Sequence, residues 1–368
     1  MGVANMYFDW LTPELALGDW QSRIDRVAER ESAYFARLPY VKAVAVIGSV
    51  GRGQPWPLSD VDLLIVTDLP GDTDAQEVVR EVEVVRRKRL EDARIPVEVE
   101  AYLWAALRLA ELAEACEEDD DSFLDRMKHW YWRGIVIKSQ GARVVKDTAG
   151  CLTRFLERSH EVFRSPRFLD LWLGIELEQA SHAMESGMGA MRQKDWKQGA
   201  YELLSATGNL MSGCYAVWRF APLSLMRCIT MFQKAAEAEA SQPLVGWVVL
   251  LARLQEGDCW KRFKSLPEAA RREIEVVYQI RKETEPGVTK LSVVRDMLHA
   301  TAQIARKNPA SGTWDGWEHL DHSRPSVEVQ NDAAQQFHQY LLTAKQSLLD
   351  RKNLRLTKAC SRRPKGRR

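Results

Sequence analysis

The sequence lacks several features that would place it in common classes of protein. Its six cysteines lie far apart and form no Cys-x-x-Cys pair, which argues against a zinc site and a disulfide framework, so we expect reduced thiols. No long uncharged apolar run is present, and no transmembrane helix or membrane partner is expected. The N-terminal segment has no basic stretch leading into an apolar one, so we expect no secretory signal and a cytoplasmic protein.

The chain also lacks a strong net charge of either sign. Its 368 residues carry a formal net charge of +1, and 45% of them are hydrophobic, which is ordinary for a globular protein of two domains or more. The charge is uneven, because residues 351–368 contain nine Lys or Arg and no acid, which leaves about −8 on the remainder. This balance argues against a nucleic-acid-binding body. We interpret residues 351–368 as a basic, disordered, solubilising tail, the one segment that could contact nucleic acid electrostatically.

The most informative stretch runs from Val44 to Val66. An apolar run ends in Gly48-Ser49, and after a loop rich in Gly and Pro the acids Asp60 and Asp62 open a second apolar run. Side chains alternate along a strand, so the two carboxylates share one face. They would repel each other and resist burial unless a divalent cation lay between them. Oxygen ligands of this kind suit Mg²⁺ that is held together with substrate phosphates.

Two familiar phosphate-binding motifs are excluded in this stretch. No Lys-Ser or Lys-Thr follows the glycines, and Gly48, Gly51 and Gly53 do not have the spacing of a dinucleotide fingerprint. Gly51 and Gly53 would still let a phosphate approach the backbone closely. Arg52 between them could contact the outer phosphates of a nucleotide, or equally pair with a nearby surface acid. The alternative for the whole stretch, a tight turn before a solvent-facing aspartate pair, is disfavoured because an acid-rich strand has poor β-propensity.

A second acidic segment follows at residues 95–103, where polar and apolar residues alternate. Glu98, Glu100 and Tyr102 fall on one face of the predicted strand, and the other face is apolar. The segment therefore offers a further carboxylate, and the alternation leaves open which of the two glutamates it is.

These residues resemble the nucleotidyltransferase superfamily that includes DNA polymerase β. Its signature is an apolar residue, Gly-Ser or Gly-Gly, a loop, and then an acid-apolar-acid-apolar run, which residues 47–49 and 60–63 fill. The resemblance implies that Asp60 and Asp62 bridge two Mg²⁺ ions and that a third carboxylate completes the metal site. In the superfamily this carboxylate is typically the acid of a Pro-Val-acid-apolar run, which residues 96–99, Pro-Val-Glu-Val, match, so the resemblance favours Glu98 with Glu100 in reserve.

Within the superfamily, the layout is most similar to that of kanamycin-type (aminoglycoside) nucleotidyltransferases, in which an all-helical domain follows the catalytic one. There a glutamate on an early helix of the second domain is the general base, and a lysine four residues later meets nucleotide phosphate. Glu178 and His182 have this spacing, so the resemblance implies Glu178 as the base, although His replaces Lys and Glu176 and Glu185 lie on the same predicted helix. Positions four apart share a helix face. The residues expected to bind the nucleotide, ATP or another NTP, are Gly48, Ser49, Arg52 and His182.

The patterns and the resemblance together predict an α+β fold, with a small mixed sheet flanked by helices followed by an all-α bundle. We place the nucleotidyltransferase catalytic domain at residues 1–149, the helical substrate or partner domain at 150–350, and the tail at 351–368. Thr12 is predicted to cap a helix that continues to about Arg37. The predicted strands are Val41–Ile47, Val61–Thr67, Ile95–Leu103, Ile135–Lys138 and Arg143–Lys146.

We therefore predict Mg-dependent transfer of an NMP, in first place AMP, to a hydroxyl of a small molecule such as an aminoglycoside-like antibiotic, with release of pyrophosphate. Three alternatives stay open: a toxin–antitoxin-type nucleotidyltransferase that modifies a protein or tRNA, a catalytically degenerate nucleotide-binding module, and a HEPN-type ribonuclease using Arg154 and His160. Related antibiotic enzymes often complete their sites across a dimer, so a homodimer is one arrangement that we consider.

Overall fold

The computed structural model describes residues 12–68, 97, 99–106, 109–111, 127, 130–221, 227–238, 263–264, 268–297, 339, 342–343, 346 and 348–350. These residues divide into two compact units. The first contains the described residues up to Phe168 together with Gln279–Thr284, and the second contains those of Leu169–Tyr278 and those from Glu285 onwards. The first helix after residue 150 belongs to the first unit. The domain limits given above stay predictions, and the tail lies outside the described residues.

A four-stranded mixed sheet organises the first unit. Strands β1 (Val41–Ile47) and β2 (Val61–Thr67) have the predicted bounds, and β3 (Val99–Ala105) and β4 (Arg143–Asp147) complete the order β3-β2-β1-β4. β1 is antiparallel to β2 and β4, whereas β3 is parallel to β2. Because β2 and β3 are parallel, both begin at the same edge of the sheet.

One face of the sheet is covered by helix α2 (Trp20–Ala36). The helix buries Ile24, Ala28 and Phe35 against alternate residues of β2, and full burial of one such side chain contributes about 1.5–3 kcal/mol. The intervening residues of β2, including Asp62, therefore point to the opposite face. The strand and loop members of this core are Val41, Val44, Val46, Val50, Val61, Leu63, Ile65, Val97 and Val99.

The N-terminal helix is interrupted where a single helix was expected. Thr12 caps the short helix α1 (Pro13–Leu17), but Asp19 then adopts a left-handed conformation with φ 46° before α2 begins. The guanidinium of Arg23 stabilises this break, because it donates to carbonyl oxygens at the end of α1 that have no partner within the helix. Those carbonyls belong to Leu15, Ala16 and Gly18.

Helix α4 (Trp130–Lys138), numbered after the short helical turn α3 (Gly48–Gly51), replaces a predicted strand. The strand prediction for Ile135–Lys138 is wrong, because a short run of β-branched residues can be buried equally well in a helix. Ile135 and Val136 are buried from α4, and Lys138 occupies its last turn. The strand predicted at Arg143–Lys146 is confirmed as β4. We expected it to pair with residues 135–138 in a hairpin or a short strand-turn-strand, but it pairs with β1.

Helices make up most of the described chain after β4. Ser165 accepts a hydrogen bond from the Phe168 N–H and begins the predicted Ser-Pro helix, and Asp195 caps the next one through the Gln198 N–H. No helix among the described residues is long and apolar enough to cross a membrane. The α+β fold class is confirmed. The helices are α5 (Cys151–Arg164), α6 (Pro166–Arg192), α7 (Trp196–Trp218), α8 (Cys228–Ala238) and α9 (Glu268–Thr284).

Buried charges of the second unit have structural partners. Asp296 is fully buried and accepts hydrogen bonds from the Ile229 and Thr230 N–H groups at 2.9 and 3.1 Å, at the beginning of α8. Arg227 and Glu285 form a buried ion pair at 3.2 Å. These groups stabilise helix ends and helix packing, and we assign them no chemistry.

Glu273 on α9 gives a test of the burial in this unit. Burial raises its pKa from 4.5 to about 7, so the folded protein binds the proton more tightly than the unfolded chain and loses stability as pH rises through this interval. Glu273→Gln removes the free-energy cost of keeping an ionised carboxylate in this environment. It should stabilise the protein above pH 7 by up to about 3 kcal/mol, with no gain below pH 4.5. Melting temperatures across this pH range measure the effect. Glu283→Gln, at an exposed position of α9, is the control, and an equal response of both variants would contradict the assigned burial.

Candidate active site

The turn between β1 and the following loop lies directly against a carboxylate. Gly48 has φ +67°, in the left-handed region that favours glycine, and a Cβ at this position would lie 1.9 Å from Asp62 Oδ2. A Cβ on Gly51 would lie 2.5 Å from the Val46 carbonyl oxygen. A side chain at either position would clash with these atoms, so both positions require glycine. The small-residue turn predicted at Gly48-Ser49 is present, as the short helical turn α3.

The loop that follows folds back onto this turn. Ser49 Oγ lies 3.3 Å from Ser59 Oγ, which also accepts a hydrogen bond from the Trp56 N–H at 2.9 Å. Both serines are buried, and Trp56 is only 4% exposed. The Trp56 ring therefore packs the loop, and the hydrogen bonds hold the start of β2 beside the end of β1.

Three carboxylates converge on the sheet face opposite α2. One oxygen each from Asp60, Asp62 and Glu100 lie within 4.8 Å of one another. Asp62 is buried, whereas Asp60 and Glu100 keep access to solvent. Two oxygens on opposite sides of a Mg²⁺ ion are about 4.2 Å apart, so the residues present fit a divalent cation with little adjustment.

The register of the parallel strands explains why Glu100 joins this group. Asp62 of β2 lies opposite Glu100 of β3. Glu100 was the reserve candidate for the third carboxylate. Glu98, the first choice, lies outside the described residues, and its role stays a prediction.

An ammonium group lies within the acidic group. Lys138 Nζ is 2.9 Å from Asp62 Oδ1 and 3.2 Å from Glu100 Oε2, and it also hydrogen-bonds the Tyr102 hydroxyl. The Tyr102 ring centroid is 4.7 Å from the same nitrogen. Sequence reasoning missed Lys138, because it placed residues 135–138 on a strand, and their burial within α4 was the signal that it lacked.

The acids perturb one another's protonation. Burial, followed by the charge of Asp60, raises the pKa of Asp62 to about 6, although Lys138 opposes the shift. Burial alone would raise the pKa of Glu100, but Lys138 and the Tyr102 hydroxyl lower it. Burial would lower the pKa of Lys138, yet the charges of Asp62 and Glu100 raise it. Lys138 offsets only part of the negative charge of Asp62 and Glu100, so these carboxylates still favour a further cation.

Arg52 is a half-buried cation, two of whose nitrogen atoms are buried. Its Nε and Nη1 atoms are buried and have no hydrogen-bond partner in the part of the chain that the structure describes. Its side chain packs against Gly141, where a Cβ would lie 2.7 Å from Arg52 Cγ. Burial lowers the pKa of the Arg52 guanidinium, and the charge of Asp62 raises it. Buried guanidinium donors without partners suit an incoming anion, so the phosphate alternative is favoured over a surface ion pair.

The predicted general base belongs to the second unit. Glu178 and His182 are exposed on α6, four residues apart. The alternative base Glu176 is buried and accepts a hydrogen bond from Trp172 Nε1 at 3.2 Å, which gives it a structural role. The roles of Glu178 and His182 stay predictions.

The residues of the ribonuclease alternative lie on α5. His160 Nδ1 is 3.0 Å from Gln140 Oε1, within a buried network that also joins Ser139 and Ser159. This contact ties His160 to the end of α4 and favours a structural role for it.

A Gly-Ser turn pressed against clustered carboxylates, on a small mixed sheet, is an arrangement suited to metal-dependent chemistry on phosphate groups. The family model described as "Nucleotidyltransferase domain" matches residues 30–114, which include β1, β2, β3 and the three carboxylates. This part of the chain is a nucleotidyltransferase domain, and the enzyme class is a transferase of nucleotidyl groups. The resemblance to the superfamily that includes DNA polymerase β is confirmed at this level. No curated protein matches the chain significantly.

The contact between Gly48 and Asp62 predicts a difference between two glycines. Gly48→Ala and Gly53→Ala both place a side chain at positive φ, with strain of about 1–3 kcal/mol each, but a Cβ on Gly53 meets no atom within 4 Å. Only Gly48→Ala should displace Asp62 and weaken Mn²⁺ binding, by about 10–100-fold. Mn²⁺ titration followed by electron paramagnetic resonance measures this. Equal Mn²⁺ affinities in two folded variants would contradict the geometry.

Proposed function

We propose that the protein transfers a nucleoside monophosphate, AMP in first place, from a nucleoside triphosphate to a hydroxyl of a small molecule in a Mg²⁺-dependent reaction. The observation that carries the proposal is the convergence of Asp60, Asp62 and Glu100 within 4.8 Å beside the Gly48 turn, inside the matched domain. Like charges this close destabilise the fold, so their convergence in one place favours a function in cation and phosphate binding.

In this reaction the acceptor hydroxyl oxygen attacks the α-phosphorus of the nucleotide. A new P–O bond forms while the bond from the α-phosphorus to the bridging oxygen breaks, and pyrophosphate leaves with that electron pair. The hydroxyl proton passes to a base, for which Glu178 is our candidate. Bound Mg²⁺ supplies charge stabilisation at the attacking and leaving oxygens. The carboxylates of Asp60, Asp62 and Glu100 would hold it.

The chain's own groups would orient the triphosphate. The missing side chain at Gly48 would let phosphate oxygens approach the backbone next to Asp62, where Gly48 and Ser49 are the first two residues of the helical turn α3. The Nε and Nη1 donors of Arg52, which have no partner among the described residues, would bind an outer phosphate. His182 takes the place of the phosphate-binding lysine of kanamycin-type enzymes in this proposal.

An aminoglycoside-like acceptor is supported by the layout, a small catalytic sheet followed by helices, and by the acidic balance of the chain before residue 351, which favours a cationic acceptor. The toxin–antitoxin alternative shares the reaction and differs in the acceptor. The presence of all three acids favours an active enzyme over a degenerate module.

The proposal predicts that the acids control turnover. Purified protein with Mg²⁺ and ATP should release pyrophosphate in the presence of an acceptor from a panel of aminoglycosides, other polyols, tRNA and protein. Asp60→Asn, Asp62→Asn and Glu100→Gln should each lower the rate at least about 100-fold, because loss of residues merely adjacent to metal ligands already costs 10–100-fold. Pyrophosphate is measured by a coupled assay.

Asp68→Asn is the matched control, because Asp68 follows β2 directly but pairs with Lys42 at 3.0 Å. It should keep the wild-type rate. Wild-type pyrophosphate release from the Asp60 and Asp62 variants would contradict the proposal, and a response to tRNA or protein alone would support the toxin–antitoxin alternative.

Arg52 gives a separate test of nucleotide binding. Arg52→Met should raise the Kd for a non-hydrolysable ATP analogue about 10–100-fold, since charge-assisted hydrogen bonds contribute about 1.5–3 kcal/mol. Arg30→Met is the control, because Arg30 is exposed on α2 and pairs with Glu31. Calorimetric titration compares the two. Unchanged affinity in Arg52→Met would remove Arg52 from the phosphate site.

A further inference from the structure

The contacts of Lys138 lie along one edge of the acidic group. Its ammonium is 2.9 Å from Asp62 Oδ1 and 3.2 Å from Glu100 Oε2, so it bridges the two carboxylates that the parallel register brings together. An ion bound between the same two oxygens would need Mg–O distances of about 2.0–2.1 Å. The ammonium and such an ion would therefore compete for the same oxygens.

Electrostatics makes the two occupants mutually exclusive. A divalent ion and an ammonium that share the same two oxygens would repel each other at close range, with twice the energy of two unit charges. An ion on the Asp62–Glu100 edge would have to displace Lys138 first.

Lys138 is held in place by more than the acids. Its Nζ also hydrogen-bonds the Tyr102 hydroxyl and lies over the Tyr102 ring, and a cation in the last turn of α4 is favoured by the helix dipole. Ile135 and Val136, one turn earlier, anchor α4 in the core. The position of the ammonium on this edge is therefore fixed by Tyr102 and by the packing of α4, in addition to its contacts with the acids.

We propose that the enzyme uses one divalent cation, bound by Asp60 and Asp62 with the nucleotide, and that the Lys138 ammonium takes the place of a second ion on the Asp62–Glu100 edge. This rests on the proposed function and changes two expectations: one ion is bound instead of the two that the resemblance implies, and Glu100 pairs with Lys138 instead of holding that ion. Lys138 is a positioning residue in this arrangement, because it acts by fixing Asp62 and Glu100. It lies beyond the residues that the family model matches.

The test is a count of Mn²⁺ ions per chain, measured by equilibrium dialysis with saturating non-hydrolysable ATP analogue. The wild type should bind one ion, and Lys138→Met, which removes the charge but keeps side-chain length, should bind two. Lys42→Met is the matched control, because Lys42 pairs with Asp68 outside the acidic group, and it should bind one.

Electron paramagnetic resonance of the wild type gives a second measurement that needs no variant. Two Mn²⁺ ions about 4 Å apart would couple magnetically, whereas a single ion gives an uncoupled spectrum. Two ions in the wild type, or one ion in folded Lys138→Met, would overturn the inference while leaving the proposed function standing. Nucleotide binding without any ion would overturn both.

Discussion

Electrostatic repulsion among three carboxylates is the constraint on which the site depends. A pair of like charges 4 Å apart costs about 4 kcal/mol near a protein surface, and the burial of Asp62 adds to this cost. Lys138 offsets part of the repulsion, and Arg52 lies close enough for its charge to act on Asp62. Stability alone gives no reason to gather these acids, so the arrangement is best explained by the cation and phosphates that it can bind.

The scaffold makes this arrangement by simple means. The antiparallel pairing of β1 with β2 places Ile47 opposite Asp62, so the chain leaves β1 beside the acid, and only glycine fits at the next position. The parallel pairing of β2 with β3 adds Glu100 from the neighbouring strand. Apolar residues on the other face of β2 pack against α2 and hold the strand in position. Asp62 and Glu100 are thus placed by backbone pairing, which positions side chains more firmly than a loop would, and Asp60 directly precedes β2.

Much of this could be predicted from the sequence, because the signals were local. β1 and β2 are buried apolar runs bounded by turn residues, and Asp60 and Asp62 alternate with apolar neighbours. The limits of both strands and the acid pair could therefore be predicted from the sequence. The register of β3 against β2 could not be predicted from the sequence, because parallel pairing is set by contacts between residues distant in sequence. That is why Glu98 and Glu100 could not be ranked by physics alone.

The missed features have the same origin. The pattern of Ile135–Lys138 fits a strand and a helix equally well. Packing in the folded protein, which the local sequence does not show, selects the helix α4. Lys138 therefore could not be brought to the acids from sequence. The break between α1 and α2 depends on Arg23 reaching back to free carbonyls, a contact that helix patterning does not encode. Local patterns thus predicted the strands and the acid pair, whereas the residues that contact the acids could be identified only from the three-dimensional structure.

The most direct test of the central claim is the position of the cation itself. Crystals grown with Mn²⁺ and a non-hydrolysable nucleotide would reveal the metal by anomalous diffraction. We expect a peak within about 2–2.5 Å of carboxylate oxygens of Asp60 and Asp62, next to the nucleotide phosphates. A bound nucleotide with no peak at these carboxylates, or with its phosphates away from the Gly48 turn, would contradict the account.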